Sequence, residues 1–134
     1  GPWLVTLAEL QQFEIPCKEN HTGANWNLRM QCWVNGKQVS DGNLGDMDWT
    51  FAEIIERASY GVDLYPGDVI GSGTVGTGCF LELNGTGKLN DPDYTEQWLQ
   101  PNDMVEMEID GLGKLSNTIV ADESDFSILA LKKL

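Results

Sequence analysis

Gly71, Gly73, Gly76 and Gly78 punctuate a run of small residues, and the carboxylate of Glu82 follows shortly after. Glycines let a ligand approach the main chain closely, so the N–H groups here, with the Thr74 hydroxyl, could hold an anionic or carbonyl oxygen. A tight turn without function is the competing reading. Glu82 sits in the run Phe80-Leu81-Glu82-Leu83. Read as a strand, it shares a face with Phe80 and opposes Leu81 and Leu83. It then either points to water from an edge or, if buried, needs a partner, because an isolated buried carboxylate is costly. A histidine base held by that acid is the sensible partner.

Residues 71–76 also fit G-x-G-x-x-G letter for letter. A dinucleotide site needs a helix to open in that loop. Residues 79–83 read as a strand, so the dinucleotide reading is set aside. No Gly-Lys-Ser/Thr follows, so this is no Walker loop either.

Other chemistry-bearing residues are weaker candidates. His21, the only histidine, lies in a polar loop and reads as an exposed, idle ring. Asp46 and Asp48 precede a helix and favour its start through the dipole more readily than they bind a cation. Glu106, Glu108 and Asp110 alternate along a strand and face solvent. Cys17, Cys32 and Cys79 are odd in number and widely spaced, which fits neither a disulfide framework nor a zinc site. The 21 acids and 8 bases leave a formal charge of -13. That argues against the basic surface needed for phosphate backbones and for anionic lipid. No apolar stretch approaches the roughly 20 residues of a membrane span. A reducing, cytoplasmic setting is expected.

These side chains must be positioned by short elements. Residues 28–34 alternate, with Leu28, Met30, Cys32 and Val34 on one face and Arg29, Gln31 and Trp33 on the other. Asn35-Gly36 then signals a hairpin. Residues 40–46 read as a loop, as do residues 18–27. Residues 50–59 predict a helix, opened by a Thr50–Glu53 capping box and terminated near Gly61. Its Phe51, Ile54, Ile55 and Ala58 share one face. Pro66-Gly67 predicts a turn before a short strand at 68–71. Residues 84–96 predict an exposed polar excursion whose return is pinned by Trp98-Leu99. Pro101-Asn102-Asp103 repeats the Pro66-Gly67-Asp68 turn. Val105, Met107 and Ile109 face inward on a strand that pairs with residues 114–120. The fold class expected is mainly β with some α (α+β). A sheet rolled or sandwiched on itself packs against one helix. Residues 121–134 are expected to form a helical tail.

In combination, these motifs resemble the fumarylacetoacetate hydrolase family. Residues 48–55 (DWTFAEII) look like that family's helix opening. Pro66-Gly67-Asp68-Val69-Ile70 followed by Gly73-Thr74 looks like its strand and substrate loop. Phe80-Leu81-Glu82-Leu83 and then Asp103-Met104-Val105 to Gly111-Leu112-Gly113 continue the series in order. The resemblance covers the chain to about Val120. It implies a mixed β-roll, a homodimer, and a Mg²⁺- or Ca²⁺-dependent reaction on β-diketo or related keto acids. Such reactions include C–C hydrolysis, decarboxylation, isomerisation and hydration. By position, Gly73 and Thr74 match substrate-binding residues, and Glu82 matches the glutamate that orients a histidine base. The family's metal-binding acids, histidine base and lysine match nothing here. The resemblance therefore implies the C-terminal portion of a catalytic domain across residues 1–134, with the upstream half as its partner and the cation ligands outside this chain. A non-catalytic module that keeps the roll is the rival reading.

Overall fold

A computed structural model describes residues 4–123. The expected tail at 121–134 lies largely outside the described residues. The fold is α+β: two small antiparallel sheets and three short helices. Helix α1 (Leu7–Leu10) is a single turn, with the Thr6 N–H donating to Glu9 Oε2 at 2.8 Å. A 3-10 turn leads to β1 (Glu14–Ile15), which pairs with β2 (Asn25–Trp26). Residues 18–27, expected as loop throughout, thus contain a strand.

Strands β3 (Arg29–Val34), β4 (Lys37–Asn43), β5 (Met104–Ile109) and β6 (Gly113–Thr118) form the main antiparallel sheet, in the order β4-β3-β5-β6. Both hairpins expected from sequence are present. Asn35 and Gly36 take φ of +51° and +77°, as their turn requires. Strand β4 runs further than expected, through Asn43, because Cys32 pairs with Ser40 while Trp33 pairs with Gln38. Val39 is the extra residue of that bulge, which lets the strand continue past the irregularity. Met30 faces Ile109, Cys32 faces Met107 and Val34 faces Val105. The alternation in the two strands therefore merges into one apolar sheet face. The other face is polar: Lys114 binds Glu106 at 2.8 Å and lies over the Trp33 ring.

The two proline turns are the same device. Tyr65 N–H donates to Asp68 Oδ2 at 2.9 Å, and Asp68 N–H returns to the Tyr65 carbonyl at 3.0 Å. Gln100 and Asp103 repeat this at 2.7 and 3.0 Å. Gly67 and Asn102 supply the positive φ each turn needs. The Gln100 N–H, and then the Asn35 amide, hold the Asp103 carboxyl below its ordinary range.

Helix α2 (Phe51–Ala58) forms where periodicity and capping predict it. Helix α3 (Phe80–Asn90) is a correction. Residues 79–83 are not a strand, and residues 84–90 continue the helix, although most of residues 84–96 are exposed as expected. Period alone cannot separate helix from strand in a short apolar run. A contact distant in sequence decides it. Asn84 is 3% exposed, and its amide donates to the Gln97 carbonyl and accepts the Gln97 N–H, both at 2.9 Å. The Tyr94 ring lies on Gly87, where an added Cβ would stand 2.5 Å from Cζ. Two glycines in a helix cost roughly 1 kcal/mol each against alanine, and this anchoring outweighs them. The return is thus pinned by Asn84 and Tyr94 rather than by Trp98 and Leu99, which are 49% and 41% exposed.

Residues 68–71 form no strand; Val69 is 95% exposed and the segment pairs with nothing described. The centre of the described molecule is small. Trp26 and Leu28 are its buried apolar side chains, with Phe51 against Trp26.

Candidate functional site

The glycine loop is set on the sheet by one close approach. Val75 Cγ1 lies 2.4 Å from where a Cβ on Gly42 would stand, so β4 must offer bare backbone there. A turn follows, in which Gly78 N–H donates to the Val75 carbonyl at 2.8 Å and Thr77 takes φ +62°. Gly73 takes φ +91°, a conformation open to glycine at no steric cost. Residues 72–76 thereby wall a hollow of about 620 Å³ against the Met30 and Ile109 end of the apolar sheet face. Asp41, Asn43, Asp46 and Met47 close its other side.

Among the described residues, no N–H from Ser72 to Gly76 donates a hydrogen bond within the protein, and the Thr74 hydroxyl is likewise unengaged. The hollow is less acidic than its composition. Asp41 accepts from Arg29 Nε at 3.0 Å and from Nη2 at 2.5 Å, and the guanidinium pulls its carboxyl below the ordinary range.

Glu82 is not beside Thr74. It lies in the first turn of α3, exposed, with Cys79 Sγ at 4.0 Å, and it does not line the loop hollow. Phe80 and Leu83, on the inner face of the same helix, close a separate apolar hollow over Cys32, Val34, Val105 and Met107. Burial pushes the Cys32 thiol upward, away from thiolate chemistry. The dinucleotide reading still fails, for a new reason. A helix does follow the glycines, but it begins only at Phe80, and the element before them is helix α2 rather than a strand.

His21 is the residue that sequence placed wrongly. Its ring is half-buried, edge-on to Trp49, with Nδ1 3.0 Å from Glu53 Oε2. Glu53 also accepts the Thr50 N–H at 2.8 Å and the Thr22 N–H at 3.1 Å. These donors, the Thr50 N–H foremost and His21 next, hold its carboxyl down to about 2. With the carboxylate ionised, Nδ1 must carry the proton it donates. The capping box visible in the sequence thus doubles as a clasp on the 21–22 loop. Its contribution is fully present above pH about 4.5 and fades as pH falls toward about 2. Glu53→Gln is expected to flatten the dependence of stability on pH across that window, measured by urea unfolding at a series of pH values. An unchanged slope would remove Glu53 from acid sensitivity.

A Mg²⁺ or Ca²⁺ site does not fit the described residues. Among the described residues, no three His, Cys, Asp or Glu side chains gather closely enough to hold an ion. Asp46 and Asp48 are exposed, with Lys18 3.9 Å from Asp48, and Glu106 is taken by Lys114. Among the described residues, no helix is long and apolar enough to cross a membrane.

The chain is 35% identical over 120 residues to an uncharacterized protein of Staphylococcus epidermidis, covering 89% of this chain and 32% of that protein. An uncharacterized protein of Staphylococcus saprophyticus is 35% identical over 122 residues, and one of Staphylococcus aureus strain USA300 is 34% identical over 120; coverage is again 89% and 32% for both. The chain thus spans about a third of the length of these relatives. Residues 1–120 match the model of the fumarylacetoacetate (FAA) hydrolase C-terminal domain. Because that match spans most of its length, the chain belongs to the fumarylacetoacetate hydrolase family.

Proposed function

We propose that this chain supplies one wall of the active site of a C–C hydrolase acting on a β-diketo acid such as fumarylacetoacetate, of the kind used in aromatic amino-acid breakdown. The observation that carries the reading is the row of unengaged N–H groups from Ser72 to Gly76, with the Thr74 hydroxyl, on the wall of the loop hollow. A carboxylate or keto oxygen entering there meets donors that need not give up a protein bond. Thr74 fixes a substrate oxygen, and Gly73 keeps the approach open. Glu82 acts as a positioning residue, holding the proton of a histidine base supplied from outside this chain. Its carboxylate is exposed and carries only the long contact from the Cys79 thiol at 4.0 Å. His21 is not that base, because it does not line the hollow beside Thr74 and its carboxylate partner is Glu53 rather than Glu82. A Mg²⁺ or Ca²⁺ ion enters only as something held by residues outside this chain. A cytoplasmic homodimer is the proposed setting.

The test is turnover by the full-length polypeptide on a panel of keto acids: β-diketo acid cleavage, oxaloacetate decarboxylation, isomerisation and hydration. Cleavage dominating supports the hydrolase; a different leading reaction replaces it with a sister activity. Thr74→Val is expected to lower kcat/KM roughly ten- to a hundredfold, the loss of about 1.5–3 kcal/mol for a hydrogen bond to a charged group. Glu82→Gln is expected to lower kcat and shift its pH profile while KM and metal affinity hold. Unchanged turnover would remove Glu82 from the mechanism.

A further inference from the structure

Helix α2 carries an apolar stripe that the described molecule covers only in part. Phe51, Ile54, Ile55 and Ala58 share one face, yet no residue of the helix is buried. Phe51 meets Trp26, and Ala52 meets the backbone at Gly23. Beyond those contacts the helix borders open hollows. Trp49, Ile54, Arg57 and Tyr60 line one of about 880 Å³; Ile55 lines another. Trp49 is 61% exposed, Ile55 50% and Tyr60 83%. A helix of two turns is marginal in water and depends on burying its apolar face. Trp, Tyr and Arg gathered around a concavity are the side chains that dominate protein–protein contacts.

We propose that this face of α2 seats against the part of the parent polypeptide that lies outside this chain. The proposal rests on the reading of the chain as one wall of a larger enzyme. The length of the relatives selects the occupant. The chain spans 32% of the length of its relatives, so most of their mass is available to cover the face.

The experiment places a benzophenone photo-crosslinking amino acid at Tyr60 of the full-length polypeptide. Crosslinks to residues outside this chain are the expected result, located by mass spectrometry of the digested monomer band. In the same polypeptide Ile55→Asp is expected to speed amide hydrogen exchange across residues 51–58 at least tenfold. Crosslinks between two copies of this face, crosslinks only within this chain, or no protein crosslink at all would each overturn the proposal. So would unchanged exchange in Ile55→Asp, or a native polypeptide whose intact mass is near 14.8 kDa. Keto-acid turnover is read separately. A polypeptide that crosslinks as expected but turns over no keto acid keeps the interface and loses the activity.

Discussion

Gly42→Ala is expected to lift the glycine loop off the sheet. The new methyl would stand 2.4 Å from Val75 Cγ1, and a β-branched side chain has little rotamer freedom with which to withdraw. Overpacking of this kind costs about 1–3 kcal/mol. The loss should appear as a lower urea midpoint and as faster exchange of the Gly78 amide, whose bond to the Val75 carbonyl closes the loop. The remedy is as specific as the damage. Val75→Ala removes the offending methyls and leaves Cβ at 3.8 Å, an ordinary contact. Gly42→Ala/Val75→Ala should therefore recover most of what Gly42→Ala loses beyond the cost of Val75→Ala alone, a coupling of about 1–3 kcal/mol between touching residues. If the two substitutions simply add, the close approach of Val75 to Gly42 does not hold the loop, and the wall of the proposed site has another anchor.

Asn84→Ala is expected to be the most damaging change in α3. The side chain is buried and serves both the N–H and the carbonyl of Gln97, with the Tyr94 hydroxyl at 3.4 Å from its Oδ1. Alanine leaves the Gln97 N–H and carbonyl without this partner at a part-buried site. A fully desolvated unsatisfied group costs about 1–3 kcal/mol, so roughly 2–6 kcal/mol is the ceiling for the two, and a loss of about 2 kcal/mol is expected at this part-buried site. Asn84→Asp is the sharper test. A carboxylate still accepts the Gln97 N–H but meets the Gln97 carbonyl as a second acceptor. It should therefore recover little of the loss in urea unfolding. A variant as stable as the parent would show that α3 is held by Tyr94 on Gly87 instead, and Gly87→Ala would then carry the larger cost.

These two positions also divide what was legible from what was not. The strands β3, β5 and β6, both hairpins, the two proline turns and helix α2 follow from patterns a few residues long. Alternation, Asn-Gly, Pro-x-Asp and a Thr–Glu capping box each act through neighbours in sequence, so the chain itself determines them. Family membership was legible for the same reason, since it rests on the order of those local motifs. Residues 80–83 carry no such preference, because four apolar-rich positions suit either period. Helix α3 is decided by Asn84 meeting Gln97 and by Tyr94 lying on Gly87, contacts that exist only after the chain has turned back. That choice also moved Glu82 from a strand face to an exposed helix turn, away from the hollow beside Thr74. The pairing of His21 with Glu53 is the same case: a polar loop residue gains a partner only because the loop folds over the start of α2. Local order came from the sequence alone. Which side chains share a site was set by tertiary contacts, because hydrogen bonds and packing act on distance in space rather than on separation along the chain.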